Sequence, residues 1–190
     1  MTLDNFIPFI DYTSLNSLET EKSIQSFIKS AINLETEFDS VAGVCTYSVY
    51  SENLVESLKD SEIQSIAVVG GFPHSQIPLD LKLKEIEFAK DKGIDEVDIV
   101  ISQHLLHEHR LVELSKELQL IRDTSDGMVL KVILETGLIN SNSLLTESVH
   151  LCCEAGVDFI KTSTGKISEG AVPEKVNLIC EEIRKYQQVN

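Results

Sequence analysis

The sequence predicts an α/β protein in which βα units are strung around one parallel sheet. Two observations carry this reading. Short apolar runs alternate six times with amphipathic helical stretches, spaced about thirty residues apart, the length of a βαβ unit. Several of the apolar runs also carry a charge at alternate positions, so one face of the sheet is not apolar.

The first run covers residues 6–13 and ends in Ile10-Asp11-Tyr12-Thr13, a short strand bearing an acid. Asn16 followed by Glu19 signals a helix start, and Ile24, Phe27, Ile28, Ala31 and Ile32 repeat behind it at helical spacing. The second strand is 41–46, and its helix turns Leu54, Val55 and Leu58 inward. The third, 65–71, closes on Gly70-Gly71 and runs into Phe72-Pro73-His74. Leu79, Leu83, Ile86 and Ala89 mark the next helix, which Gly93 stops. The fourth strand is 96–101, with Leu111, Leu114, Leu118 and Ile121 on its helix. The fifth is 129–135, and its helix spans 143–155 and stops at Gly156. The sixth starts at Val157, reads as a buried strand, and ends in Lys161-Thr162-Ser163-Thr164-Gly165-Lys166. Pro173 opens a last helix with Val176, Ile179, Cys180 and Ile183 inward.

Alternation alone does not separate an open doubly wound sheet from a barrel. The charges inside the strands help. If Val97, Ile99 and Ile101 face the helices, Asp98 faces the other way. By the same rule Lys131, Ile133 and Glu135 oppose Val132 and Leu134, and Lys161 opposes Ile160. Three consecutive strands therefore put Asp98, Lys131 and Lys161 on one face. A sheet covered by helices on both sides should be apolar on both. A barrel interior with its reactive rim can hold such a cluster. A purely structural ion-pair network is the competing account, although such networks stabilise weakly.

Lys161 is the focus. A lysine ending an apolar strand is costly unless it is paired or loses its charge. The uncharged amine is a nucleophile towards carbonyls. The alternative is a stem lying along the strand with its head in solvent.

Composition narrows the classes. Hydrophobic residues make up 42% and mean hydropathy is +0.01, as expected for one globular domain over 1–190. No apolar run approaches the ~20 residues of a membrane span, and the N-terminus carries no signal-peptide pattern, which points to the cytoplasm. Cys45, Cys152, Cys153 and Cys180 form no C-x-x-C pair, consistent with a reducing compartment. A net charge of −15 argues against nucleic acid, and leaves an anionic substrate to local lysines and backbone N–H groups. His104, His107 and His109 do not share a helix face, so no metal site is expected there. Gly70-Gly71 lacks the spacing of a nucleotide loop and reads as a tight bend. Cys45 is either a reactive thiol or, more in keeping with its strand, a small core residue.

Six segments occur in the order known from one family: Asp11-Tyr12-Thr13, Val44-Cys45, Gly71-Phe72-Pro73-His74, Asp95-Glu96-Val97-Asp98, Leu130-Lys131-Val132-Ile133-Leu134-Glu135-Thr136, and 156–165 with its Lys-Thr-Ser-Thr-Gly run. Over almost its whole length the sequence resembles deoxyribose-phosphate aldolase. The resemblance implies a TIM (β/α)8-type barrel and a class I aldolase. Such an enzyme cleaves 2-deoxy-D-ribose 5-phosphate to glyceraldehyde 3-phosphate and acetaldehyde, without metal or organic cofactor. It implies Lys161 as the Schiff-base lysine, Asp98 as an acid working through water, and Lys131 as the lysine beside them. Asp11, Thr13, Cys45, Thr164 and Lys166 fall where the family binds substrate, with Lys166 towards the phosphate.

A barrel of eight units takes ~250 residues, and this sequence carries six. The resemblance places a further lysine and the phosphate-holding loops on units seven and eight. The expectation is one incomplete barrel domain with its first and sixth strand edges unpaired. It would be completed by a homo-oligomer or a C-terminal chain, with impaired activity until then. The alternative is an inactive fragment serving as a binding or assembly partner.

Overall fold

Six strands form one sheet in sequence order, every neighbouring pair parallel. They are β1 (Asp11–Thr13), β2 (Gly43–Tyr47), β3 (Gln64–Val69), β4 (Glu96–Val100), β5 (Val129–Ile133) and β6 (Phe159–Lys161). The structure is a computed structural model and describes residues 3–37 and 40–189. The helices are α1 (Glu21–Glu37), α2 (Ser51–Leu58), α3 (Leu79–Asp91), α4 (Gln103–His107), α5 (Leu111–Thr124), α6 (Asn142–Glu154) and α7 (Pro173–Val189). The sheet curls into a half-barrel of TIM type, and β1 and β6 do not pair with each other. Among the described residues no helix is long and apolar enough to cross a membrane.

Strand alternation sorts the core as the sequence requires. Val44, Ala67, Val69, Val97, Ile99, Leu130 and Val132 point outward and are buried in one cluster with the helices. Cys45, Ile66 and Val68 point inward, with Leu15, Tyr47 and Phe72 around them. The register sets Asp98 beside Lys131, Lys131 beside Phe159, and Ile133 beside Lys161. The interior is thus apolar on β2 and β3 and charged on β1, β4, β5 and β6.

The bend after β3 needs its glycines. Both have positive φ, and a Cβ on Gly70 would lie 2.4 Å from Ile99 Cδ1. Glu85 of α3 secures the bend by accepting the Gly71 N–H at 3.0 Å and the Ser48 hydroxyl at 2.8 Å.

Some elements differ from expectation. α1 starts at Glu21, because Thr20 and Ser23 exchange side-chain and backbone bonds (3.1 and 2.8 Å) as a cap. Glu19 instead accepts from Ser14, Asn16 and Ser23, which holds its carboxyl down at about 2. β6 is a three-residue edge strand rather than a buried one, and Phe159 is 57% exposed, because no strand among the described residues pairs with its outer side. Val176, expected inward, is exposed on α7, which packs against α6.

A buried ion pair ties the helical layer to the sheet. Lys82, 1% exposed, shares a face of α3 with Ile86 and Ala89. Its Nζ donates to Glu117 Oε1 of α5 at 2.9 Å and to the Ser102 hydroxyl just beyond β4. The pair holds the end of β4, and so the strand that bears Asp98. Lys82→Met should cost about 3–5 kcal/mol in urea unfolding, because it strands the Glu117 carboxylate in the core. The double change Lys82→Met with Glu117→Leu should recover most of that loss. If the double variant is no better than the single, the buried charge is not the source.

Candidate active site

The inner face of the sheet gathers charge around Lys161, the last residue of β6. Lys161 Nζ contacts Asp98 Oδ2 across the curl and lies 3.1 Å from Asp11 Oδ2. Lys131 Nζ lies 2.8 Å from that same Asp11 oxygen and 2.5 Å from Glu96 Oε2. The five side chains form an alternating chain: Glu96, Lys131, Asp11, Lys161, Asp98. Three carboxylates thus face two ammonium groups.

That imbalance sets the protonation states. Burial alone would lower Lys161's proton affinity, but Asp98 above all, helped by Asp11, outweighs it and raises the value. Burial pushes Asp98 up, only partly offset by Lys161 and Lys131. Burial also pushes Glu96 up against its bond from Lys131. For Asp11, burial is outweighed by the hydrogen bond from Lys131 and the charge of Lys161, and the carboxyl is lowered. Lys131 is raised, since Asp11 and Glu96 overcome its burial. The resting Lys161 is therefore an ammonium ion clasped by acids, not an amine poised to react. This corrects the simpler picture of a lysine discharged by burial: desolvation does act on it, but the carboxylates win.

A cavity of about 410 Å³ opens beside Lys161, lined by Asp11, Thr13, Cys45, Asp98, Lys161 and Thr164 among others. Cys45 is 1% exposed and burial pushes its thiol up, so it contributes a neutral, small wall. Thr13 is at the rim, its hydroxyl spent on Asp11 O at 2.8 Å. Lys131 does not line the cavity; it stands behind Asp11. Lys166 does not line it either, and its Nζ donates to the Leu15 carbonyl. Asp98 Oδ1 and Ser163 Oγ, both on lining residues, are buried without a protein hydrogen-bond partner.

Two site residues were not singled out from the sequence. Glu96 was legible in principle, since it lies two positions before Asp98 and so on the same face. Glu135 was already placed on that face by parity, but its role in the turn was not legible. It is 3% exposed, adopts a left-handed φ of 52°, and accepts from Thr164 N at 3.2 Å and from the Thr164 hydroxyl. Thr136 N bonds Thr162 O at 2.7 Å, and a Cβ on Gly137 would strike Ile167 Cδ1 at 2.7 Å. The turn after β5 therefore moulds the loop after β6. Such strain in a non-glycine residue persists only where neighbours enforce it.

A larger hollow, about 650 Å³, lies at the opposite ends of the strands. Asp95, Asp158 and Arg122 in its wall are already committed. Asp95 accepts from Ser65 N and Oγ at 2.8 and 2.6 Å, and Asp158 from Leu130 N and Arg122, both at 2.8 Å. The repeated Gly-(Ile/Val)-Asp before β4 and β6 is a strand-tying device, as befits the stabilising face of such a sheet. Among the described residues no group of three His, Cys, Asp or Glu side chains could hold a metal, and His104, His107 and His109 are exposed.

A parallel βα half-barrel with a charged cluster on its inner face and a cavity at the C-terminal end of β6 is the frame of a TIM-barrel enzyme. Residues 7–188 match the family described as DeoC/LacD family aldolase, and the chain belongs to it. Solved structures agree. A candidate deoxyribose-phosphate aldolase from Coccidioides immitis is 26% identical with a TM-score of 0.90, over 97% of this chain and 70% of that one. The aldolase QR15 is 28% identical with a TM-score of 0.87, over 95% and 77%. The tetrameric deoxyribose phosphate aldolase from Aeropyrum pernix is 26% identical with a TM-score of 0.84, over 96% and 74%. Membership and these neighbours make the protein a lyase.

The lowered Asp11 gives a pH prediction. A carboxyl lowered on folding stabilises above its unfolded value, about 3.9, and the gain is lost as pH falls through the folded value. Asp11→Asn should cost about 1–3 kcal/mol at pH 7, since both lysines lose a charged hydrogen-bond partner while each keeps its second acid. The difference from the parent should stay level above about pH 5 and shrink below pH 4. A difference that persists at pH 3 would show that Asp11 acts through packing rather than charge.

Proposed function

We propose that the protein is a class I aldolase that cleaves 2-deoxy-D-ribose 5-phosphate through an imine on Lys161. The observation that carries this is the Lys161 Nζ held between Asp98 and Asp11 in a cavity of about 410 Å³. The deoxyribose-phosphate aldolases among the neighbouring structures support the substrate. Deprotonated Lys161 would add to the C1 aldehyde and lose water, giving an iminium. The iminium accepts the electron pair of the C2–C3 bond as the C3 hydroxyl proton leaves, which releases glyceraldehyde 3-phosphate. The enamine takes a proton at C2, from water oriented by Asp98, and hydrolysis frees acetaldehyde and the lysine. Thr13, Cys45 and Thr164 would shape the pocket, Asp11 and Lys131 would fix its charge, and Lys166 would approach the phosphate.

The raised proton affinity of Lys161 and the open edges of β1 and β6 favour a second reading, an inactive barrel half that serves as an assembly partner. They also support completion by another copy or by a chain supplying two strands, and the Aeropyrum pernix relative is tetrameric. Four free cysteines suit a reducing compartment such as the cytoplasm. The net charge of −15 suits a small-molecule substrate rather than nucleic acid.

Borohydride reduction in the presence of 2-deoxyribose 5-phosphate should leave a mass adduct on Lys161. No adduct on folded protein, or one on another lysine, would favour the second reading. Asp98→Asn should preserve folding and slow deuterium uptake into acetaldehyde by about 10² to 10⁴; an unchanged rate removes Asp98 from the proton transfer. The isolated chain should prefer phosphorylated over free deoxyribose only weakly. A peptide that supplies two further strands should raise that preference.

A further inference from the structure

Glu96 has no part in the chemistry just described, and it does not line the cavity. Yet it stands at one end of the charge chain, its side chain 14% exposed, with Oε2 2.5 Å from Lys131 Nζ. Lys131 in turn lies 2.8 Å from the Asp11 oxygen that Lys161 approaches only to 3.1 Å. Lys131 therefore divides its hydrogen bonds between two acids, and Asp11 divides its oxygen between two lysines. We infer that Glu96 is a positioning residue for Lys161: by holding Lys131 it decides how Asp11 is shared, and so how readily the Lys161 amine is set free.

The charged and titratable groups around this chain are Asp11 on β1, Cys45 on β2, Glu96 and Asp98 on β4, Lys131 on β5 and Lys161 on β6. The Phe159 ring on β6 faces Lys131 at 5.6 Å. Cys45 is neutral, so the sum is three negative charges against two positive. Neutralising Glu96 does two things at once. It brings the cluster to balance, and it turns Lys131 wholly onto Asp11, drawing that oxygen away from Lys161. Both changes weaken the hold on the Lys161 proton. Lys131 keeps Asp11 as its partner, so the change does not strand it. A merely structural ion pair predicts the reverse, a loss of reactivity from a loosened site.

This inference rests on the reading of Lys161 as the imine-forming lysine, but it can be tested apart from it. Trace acetylation with acetic anhydride, quantified at Lys161 by peptide mass spectrometry from pH 7 to 10, reports free amine without any substrate. In this range the rate should rise tenfold per pH unit. Glu96→Gln should lift that line by about tenfold, one unit of proton affinity. Glu96→Asp, which keeps the charge, should leave it near the parent. Glu96→Met serves if the glutamine variant does not fold. Borohydride trapping of Lys161 with acetaldehyde should rise in parallel. A neutral variant that folds with an unmoved or lowered line overturns the inference. So does failure of both neutral variants to fold while Glu96→Asp folds, since Glu96 would then be supporting the fold. If acetylation moves as expected but no aldehyde adduct forms even in the parent, the aldolase reading falls and this inference stands.

Discussion

Asp11 Oδ2 is the atom on which the site depends. It receives ammonium groups from β5 and β6, 120 and 150 residues further along the chain. β1 and β6 are three residues each and share no backbone ladder. The interior seam between them is crossed by side chains: Lys161 to Asp11, and Lys166 to the Leu15 carbonyl. A carboxylate accepting two cations in a half-buried place is favourable only because each cation has a second acid, Glu96 or Asp98. The same arrangement joins the ends of the sheet and fixes the direction of Lys161.

The mouth of the site is shaped from behind. Glu135 adopts a conformation that few non-glycine residues take, and its two oxygens seize Thr164. Gly137 lets residues 167–169 close in, and Lys175 Nζ reaches back to the Thr136 carbonyl at 2.6 Å. The loop that follows Lys161 is thereby moulded on β5 and α7 rather than on its own strand. Beneath it, Lys82 and Glu117 anchor the end of β4. The side chains of the site thus stand on supports that are themselves polar and hydrogen-bonded, which keeps their positions fixed.

The seam between β1 and β6 sets the exposure, and the acids around Lys161 set its charge. Phe159 and Phe9 are 57% and 82% exposed at its borders, a surface that invites pairing. With two cations against three anions, the proton on Lys161 is held more firmly than in free lysine.

Much of this was legible in the sequence. Periodicity gave all six strands and the principal helices, and alternation put Asp98, Lys131 and Lys161 on one face before any fold was considered. It could do so because strand geometry is local: a residue's face depends only on its parity. The ends of elements were less legible. Thr20 rather than Asn16 caps α1, and β6 is exposed rather than buried, because caps and burial depend on neighbours that parity does not name. Lys82 hid in a helical pattern whose buried face it shares with Ile86 and Ala89. What the tertiary structure alone decided is the charge state of Lys161. The sequence offered two ways to accommodate a lysine at a strand end, pairing or discharge. Only the curl of the sheet, which carries Asp11 of the first strand to the lysine of the sixth, made it pairing. Coulomb attraction depends on distance in space, and for partners 150 residues apart that distance is set by the fold.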